Sequence, residues 1–136
     1  MLFRKLVVAG LALAAFSTAA LAQPAALDGQ WRTASGNLIV AIAPCGEVRC
    51  GDVAQVLANN SMQAANAPSS APPANVGLRI LSALTPEGDH WRGRIFNREN
   101  GRTYDCRVRK LADGTREVRA YVVLPVFGRT QIWRPA

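Results

Sequence analysis

From residue 29 onward, apolar and polar residues alternate in short runs that Gly, Asn, Asp and Pro interrupt. β-Branched and aromatic residues at every second position, bounded by turn formers, are the pattern of half-buried strands. Eight strands are predicted, near 29–33, 37–43, 49–57, 78–84, 90–97, 102–110, 116–124 and 129–134. No stretch of this region sustains a 3.6-residue apolar period, although GDVAQVLANNSMQAANA (51–67) could open a short helix. Residues 59–75, NNSMQAANAPSSAPPAN, are uncharged and rich in Pro, Ser, Ala and Asn, and read as a long mobile loop. Asn59 and Ser61 also match the glycosylation acceptor pattern.

The alternation is strongest over residues 90–122. Asn100–Gly101 reads as a two-residue type I′ hairpin turn, which pairs Asn97 with Tyr104, Ile95 with Cys106 and Gly93 with Val108. At the next turn, a three-residue loop over Ala112–Gly114 with Gly114 left-handed pairs Val108 with Val118, Cys106 with Ala120 and Tyr104 with Val122. A one-residue slip would turn every side chain to the other face, and only this register keeps one face apolar. The inner face is then Trp91, Gly93, Ile95, Tyr104, Cys106, Val108, Val118, Ala120 and Val122. The outer face carries His90, Arg92, Arg94, Arg107, Arg109 and Arg119, relieved by Asp105 and Glu117. In this register Arg94 faces Arg107, Arg92 faces Arg109, and Arg109 also faces Glu117. Gly93 and Ala120 are small and leave room for a modest cavity.

Short antiparallel strands with one apolar face predict an all-β fold, a small eight-stranded up-and-down barrel, because closure removes the sheet edges. Such a barrel is just wide enough to be filled by side chains or to hold one small ligand. Its ends carry Gly29-x-Trp31 on the first strand and Arg134 on the last. This pattern resembles the lipocalin/calycin superfamily, and the resemblance implies a barrel-closing cation–π pair between Trp31 and Arg134. The mature chain also resembles the uncharacterised bacterial family of domain of unknown function 2147 (DUF2147). The matching pieces are GQW (29–31), CG (50–51), LRIL (78–81), WRGRIFN (91–97), NGRTYDCRV (100–108), VRAYV (118–122) and GRTQIWR (128–134). Relatives carry an Asp…Asn-Pro segment where this chain has the uncharged 59–75 run, and Asp-Pro where it has Asn97–Arg98. That family has no established activity, so the resemblance implies a fold and an envelope location.

The first residues are not barrel material. Arg4 and Lys5 precede an apolar run from Leu6 to Phe16, and small residues follow, ending in Ala20–Ala22. This is the order of a secretory signal peptide, and the apolar run is too short to span a bilayer. Cleavage after Ala22 divides the chain into a signal peptide, 1–22, and one domain, 23–136, of an exported periplasmic protein. Loss of Arg4 and Lys5 takes the net charge from +7 to +5, a mildly basic balance. Nucleic acid is a poor partner for an exported protein, and no transmembrane segment is expected. In an oxidising compartment Cys45 and Cys50, in CGEVRC, are expected to form a disulfide, and Cys106 to be a buried thiol.

Catalytic chemistry lacks its parts. The single histidine, His90, is placed on the outer face, away from Cys106. Neither a nucleophile–base pair nor a zinc set can be assembled, and no phosphate or dinucleotide loop is present. The chain is therefore read as a non-enzyme with no cofactor and no metal. Three roles remain. The first is binding of a small apolar or amphipathic envelope ligand, lined by Trp31, Trp91, Ile95, Tyr104, Val108 and Val122 with the 59–75 loop at the mouth. A cavity above about 300 Å³ would mark that role. The second is a protein partner, for example a protease inhibited through residues 23–27. The third is docking of an anionic envelope surface through the stripe Arg92, Arg94, Arg107, Arg109 and Arg119, whose simplest reading is a solvated outer face.

Overall fold

The alternating runs become eight strands: β1 (Gly29–Arg32), β2 (Leu38–Cys45), β3 (Val48–Val56), β4 (Arg79–Glu87), β5 (His90–Asn97), β6 (Arg102–Lys110), β7 (Arg116–Val122) and β8 (Leu124–Pro135). The structure, a computed structural model, describes residues 9–13, 24–64 and 66–136. The proposed cleavage after Ala22, and most of the signal peptide, lie outside the described residues. Each strand pairs antiparallel with its neighbours in chain order, and β8 returns to β1 to close the barrel. Closure rests on Trp31 opposite Pro135, Arg32 opposite Arg134, and a hydrogen bond from the Ala136 N–H to the Gln30 carbonyl at 3.0 Å. This is the up-and-down barrel expected from the pattern and from the lipocalin resemblance. No helix forms among the described residues; the segment after Gly51 instead continues β3 to Val56.

The predicted Ala112–Gly114 loop is present, with Gly114 at φ 85° and Val108 opposite Val118. The Asn100–Gly101 turn differs. Asn97 pairs with Arg102, so four residues connect β5 to β6 instead of two. The Asn97 side chain decides this: its Oδ1 accepts the N–H of Glu99 at 2.9 Å and of Asn100 at 3.4 Å. Such a side-chain turn supplants the two-residue alternative. The register moves by two residues, so each side chain keeps its face but changes its partner. Arg94 now faces Asp105, and Arg92 faces Arg107.

The strand ends define two unlike barrel ends. The β2–β3, β4–β5 and β6–β7 turns close one end, and residues 24–28 cross it. Leu27 is buried there, and the carbonyls of Ala25, Ala26 and Leu27 accept from Trp91 Nε1, Arg116 Nη2 and Trp31 Nε1 at 2.9, 3.0 and 2.9 Å. The core above them is contiguous and includes Val40, Leu81, Leu84, Cys106, Val108, Val118 and Trp133. Gly93 does not leave room, as its size suggests. A bulge in β4, with Ala83 at φ 53°, presses Leu84 into the space; a Cβ on Gly93 would lie 2.6 Å from the Ser82 carbonyl and 2.8 Å from Leu84 Cδ2. The Cys45–Cys50 disulfide ties β2 to β3 beside the closed end. Its loop is short, so its contribution is about 2 kcal/mol in the chain-entropy picture.

Candidate ligand-binding cavity

The opposite end is open and holds a cavity of about 740 Å³. Its walls rise from β5, β6, β7 and β8, where Ile95, Tyr104, Ala120, Phe127 and Gln131 line it. Ser61, Met62 and Gln63 of the long loop reach its mouth. The volume is within the range of small-molecule sites, roughly 300–1,000 Å³.

The candidate lining divides between the two halves. Ile95, Tyr104 and Val122 line the cavity. Trp31, Trp91 and Val108 do not; they are buried in the packed lower half. Both tryptophans are fastened by indole hydrogen bonds to the 24–28 segment, which is why their inward aspect produces a floor and not a pocket. Val122 is a correction in another sense. Its side chain is more than half exposed, because the β7–β8 register breaks between Tyr121 and Val122 and lifts it to the rim.

Several lining residues escaped the sequence reading, Phe127, Gln131 and Arg129 among them. Arg129 stands opposite Ala120 on β8, in alternation with Gln131 and Trp133, and lines the cavity from its rim, where it is exposed. No carboxylate lies within ion-pair distance of it among the described residues. The signal was present in GRTQIWR, where the arginine occupies an inward position by parity with Trp133. The cavity thus combines apolar walls, amide and hydroxyl groups, and a single cationic side chain.

The cation over Trp31 is likewise a different residue. Arg116 Cζ sits 4.3 Å from the Trp31 ring centroid, while Arg134 is exposed. Alternation excludes Arg134: Trp133 points inward, so its neighbour points out. Arg116 shares the inward parity of Val118 and Ala120. Besides Ala26, it donates to the Gly114 carbonyl at 3.0 Å, and burial pulls its pKa down.

Residues 59–64 and 66–75 of the long loop carry several hydrogen bonds to the rim of the barrel. Asn37 binds the Asn60 carbonyl and N–H through its side chain at 2.9 and 2.8 Å, and Arg98 donates to the Pro72 carbonyl at 3.2 Å. Glu99 accepts from Met62 N–H and Ser61 Oγ, both at 2.8 Å, and these bonds hold its carboxyl below the ordinary range. Asn59, the residue of the glycosylation pattern, donates its Nδ2 to the Ala71 carbonyl at 2.9 Å.

On the outer face, Arg94 pairs with Asp105 at 3.3 Å and Arg109 with Glu117 at 3.1 Å. Arg92, Arg107 and Arg119 remain aligned across three strands. Arg119 is turned aside to Pro125 O and Thr130 Oγ1 at 2.6 and 2.7 Å. Arg92 also lies 3.9 Å from Glu87, so four of the five stripe arginines are ion-paired or committed to structure. Of residues 24–27, Leu27 is buried in the floor of the barrel, while Ala25 and Ala26 are exposed and held there through their carbonyls. Cys106 is a buried thiol whose pKa burial pushes up to about 12, which leaves it neutral and unreactive at physiological pH.

The family of "Uncharacterized protein conserved in bacteria (DUF2147)" matches this chain over residues 29–134, all but the last residue of the barrel. The chain belongs to that family. No curated protein and no solved structure matches it significantly.

Proposed function

We propose that this DUF2147 member is an exported, non-catalytic barrel of the bacterial periplasm that holds a small amphipathic envelope ligand in its open end. The observation that carries this reading is the 740 Å³ cavity with apolar walls and Arg129 as its charged lining side chain. An acyl or similarly apolar body would occupy the space between Ile95, Tyr104, Ala120 and Phe127. An anionic head, carboxylate or phosphate, would meet the unpaired guanidinium of Arg129, the side chain best suited to such groups. Export is supported by the signal-peptide order of residues 1–22 and by the Cys45–Cys50 disulfide, which persists in oxidising compartments.

Native mass spectrometry of the protein, purified gently from its own envelope, tests the reading. The expected result is a reproducible extra mass lost on denaturation. Ala120→Phe, which fills the cavity, is expected to abolish that mass. Arg129→Ala is expected to weaken retention about tenfold or more, the scale of one charge-assisted hydrogen bond. A bare protein mass in the wild type, or an adduct unchanged in Ala120→Phe, would sink the reading.

A further inference from the structure

The β7–β8 hairpin ends, at the open mouth, in a run of apolar side chains that nothing among the described residues covers. Val122, Val123, Leu124, Val126 and Phe127 are between 53% and 80% exposed. Single exposed apolar residues are ordinary, whereas a contiguous cluster marks a contact surface. The tip is also held in shape. Tyr121 faces Gly128 but Val122 faces Leu124, so Pro125–Phe127 stand outside the ladder. Arg119 clasps this arch through the Pro125 carbonyl and Thr130 Oγ1. Val123, β-branched, sits at φ 66°. That left-handed conformation is costly for such a residue and persists only where the surroundings impose it.

Charge differs between the two ends. At the closed end Asp28, Glu47, Glu87, Asp89 and Asp113 are offset by Arg49, Lys110, Arg116 and Arg134. At the open end stand Arg98, Arg102 and Arg129, and the acid there, Glu99, is bound up by Ser61 and Met62. A protruding apolar tip beside arginines fits a surface with an apolar interior and an anionic rim. A second copy of the chain would set the same arginines against each other, and an uncharged apolar partner would leave them unused.

We propose that the Val122–Phe127 tip enters the interfacial layer of an anionic lipid leaflet and seats the open mouth of the barrel on the membrane. Val122 and Phe127 belong to both the tip and the cavity wall, so docking places the mouth at the lipid surface. The docking does not depend on the cavity holding a ligand.

The test mixes the purified protein with vesicles of phosphatidylglycerol and phosphatidylethanolamine, and in parallel with phosphatidylcholine alone. Sedimentation with the anionic vesicles is expected, weakening as salt rises. Val123→Asn with Val126→Ser changes two tip residues outside the cavity lining. It is expected to lower vesicle partitioning about tenfold or more, while the urea midpoint stays or rises, because Asn tolerates a positive φ. Trp31, Trp91 and Trp133 are buried; Val126→Trp therefore adds an exposed reporter whose emission should shift to the blue on adding anionic vesicles. Absence of wild-type binding, or equal binding by the double variant, overturns the proposal. So does a concentration-dependent dimer that the double variant dissolves, since the tip would then serve a second copy.

Discussion

Arg116 and Arg134 carry the same charge and lie on adjacent strands, yet they meet opposite environments. Arg116 donates to the Ala26 and Gly114 carbonyls and covers the Trp31 ring, whereas Arg134 is exposed. Arg116→Ala would leave those carbonyls without their donor, and bonds to a charged group contribute about 1.5–3 kcal/mol each. The expected outcome is a loss of at least about 2 kcal/mol for Arg116→Ala in urea unfolding. A change within about 0.5 kcal/mol is expected for Arg134→Ala, as for most exposed sites. Equal losses would restore Arg134 as the closing residue. The parity that separates the two was readable, since Arg116 continues the Val118–Ala120 series. What the alternation could not say is that this series ends at a floor, where a cation finds carbonyls and an indole.

At the scale of elements, the strands were legible and the connections less so. Strand positions follow from local alternation and agree with the predicted ranges to within a few residues, except at the last hairpin, where the predicted 116–124 and 129–134 become Arg116–Val122 and Leu124–Pro135. The β6–β7 loop was legible because only one register kept the face apolar. The β5–β6 turn was not, because a two-residue shift preserves that face and the choice passes to the Asn97 side chain. The long loop looks unstructured in composition because its anchors, Asn37, Arg98 and Glu99, lie elsewhere in the chain. Its attachment has a pH dependence with a definite sign. The folded Glu99 carboxyl titrates below its ordinary value, first through the Met62 N–H and then through Ser61. The stabilisation is therefore present above about pH 4.3, the unfolded value, and is lost as pH falls through the folded one. Glu99→Ala should reproduce the loss at neutral pH. The Met62 amide should then exchange with solvent markedly faster, while amides of β6 keep their protection. Unchanged Met62 exchange would remove Glu99 as the anchor.

The whole molecule is a barrel with a packed end and an open one, and each end is specified by residues remote in sequence. Leu27, only a few residues before β1, fills the closed end among Trp31, Trp91 and Val118. Leu27→Ala is expected to cost about 2–5 kcal/mol, the range for buried leucines. Thermal or urea unfolding would report the loss, and a change below about 1 kcal/mol would mean the floor closes without it. The cavity should survive that substitution, since its lining lies at the other end. Outward arginines and inward aliphatics are also the reverse of the arrangement in a membrane-spanning barrel, whose lipid face is apolar. On the proposed reading, contact with lipid is confined to one hairpin tip.

By itself the sequence determined the strands, their antiparallel order, the inner and outer faces and the one disulfide. These depend on near neighbours, on a period of two, and on cysteines five positions apart, all of which a linear text records. Closure of the barrel was inferable from the lack of free edges. Only the tertiary structure decided which inward residues form a floor and which line a space, because that depends on how a 24–28 segment and a β4 bulge fill the lower half. It alone brought Arg129 into the cavity, Arg116 onto Trp31 and Glu99 to the long loop. It alone left the Val122–Phe127 tip uncovered, for alternation can assign a side chain to a face but cannot say whether anything packs against it.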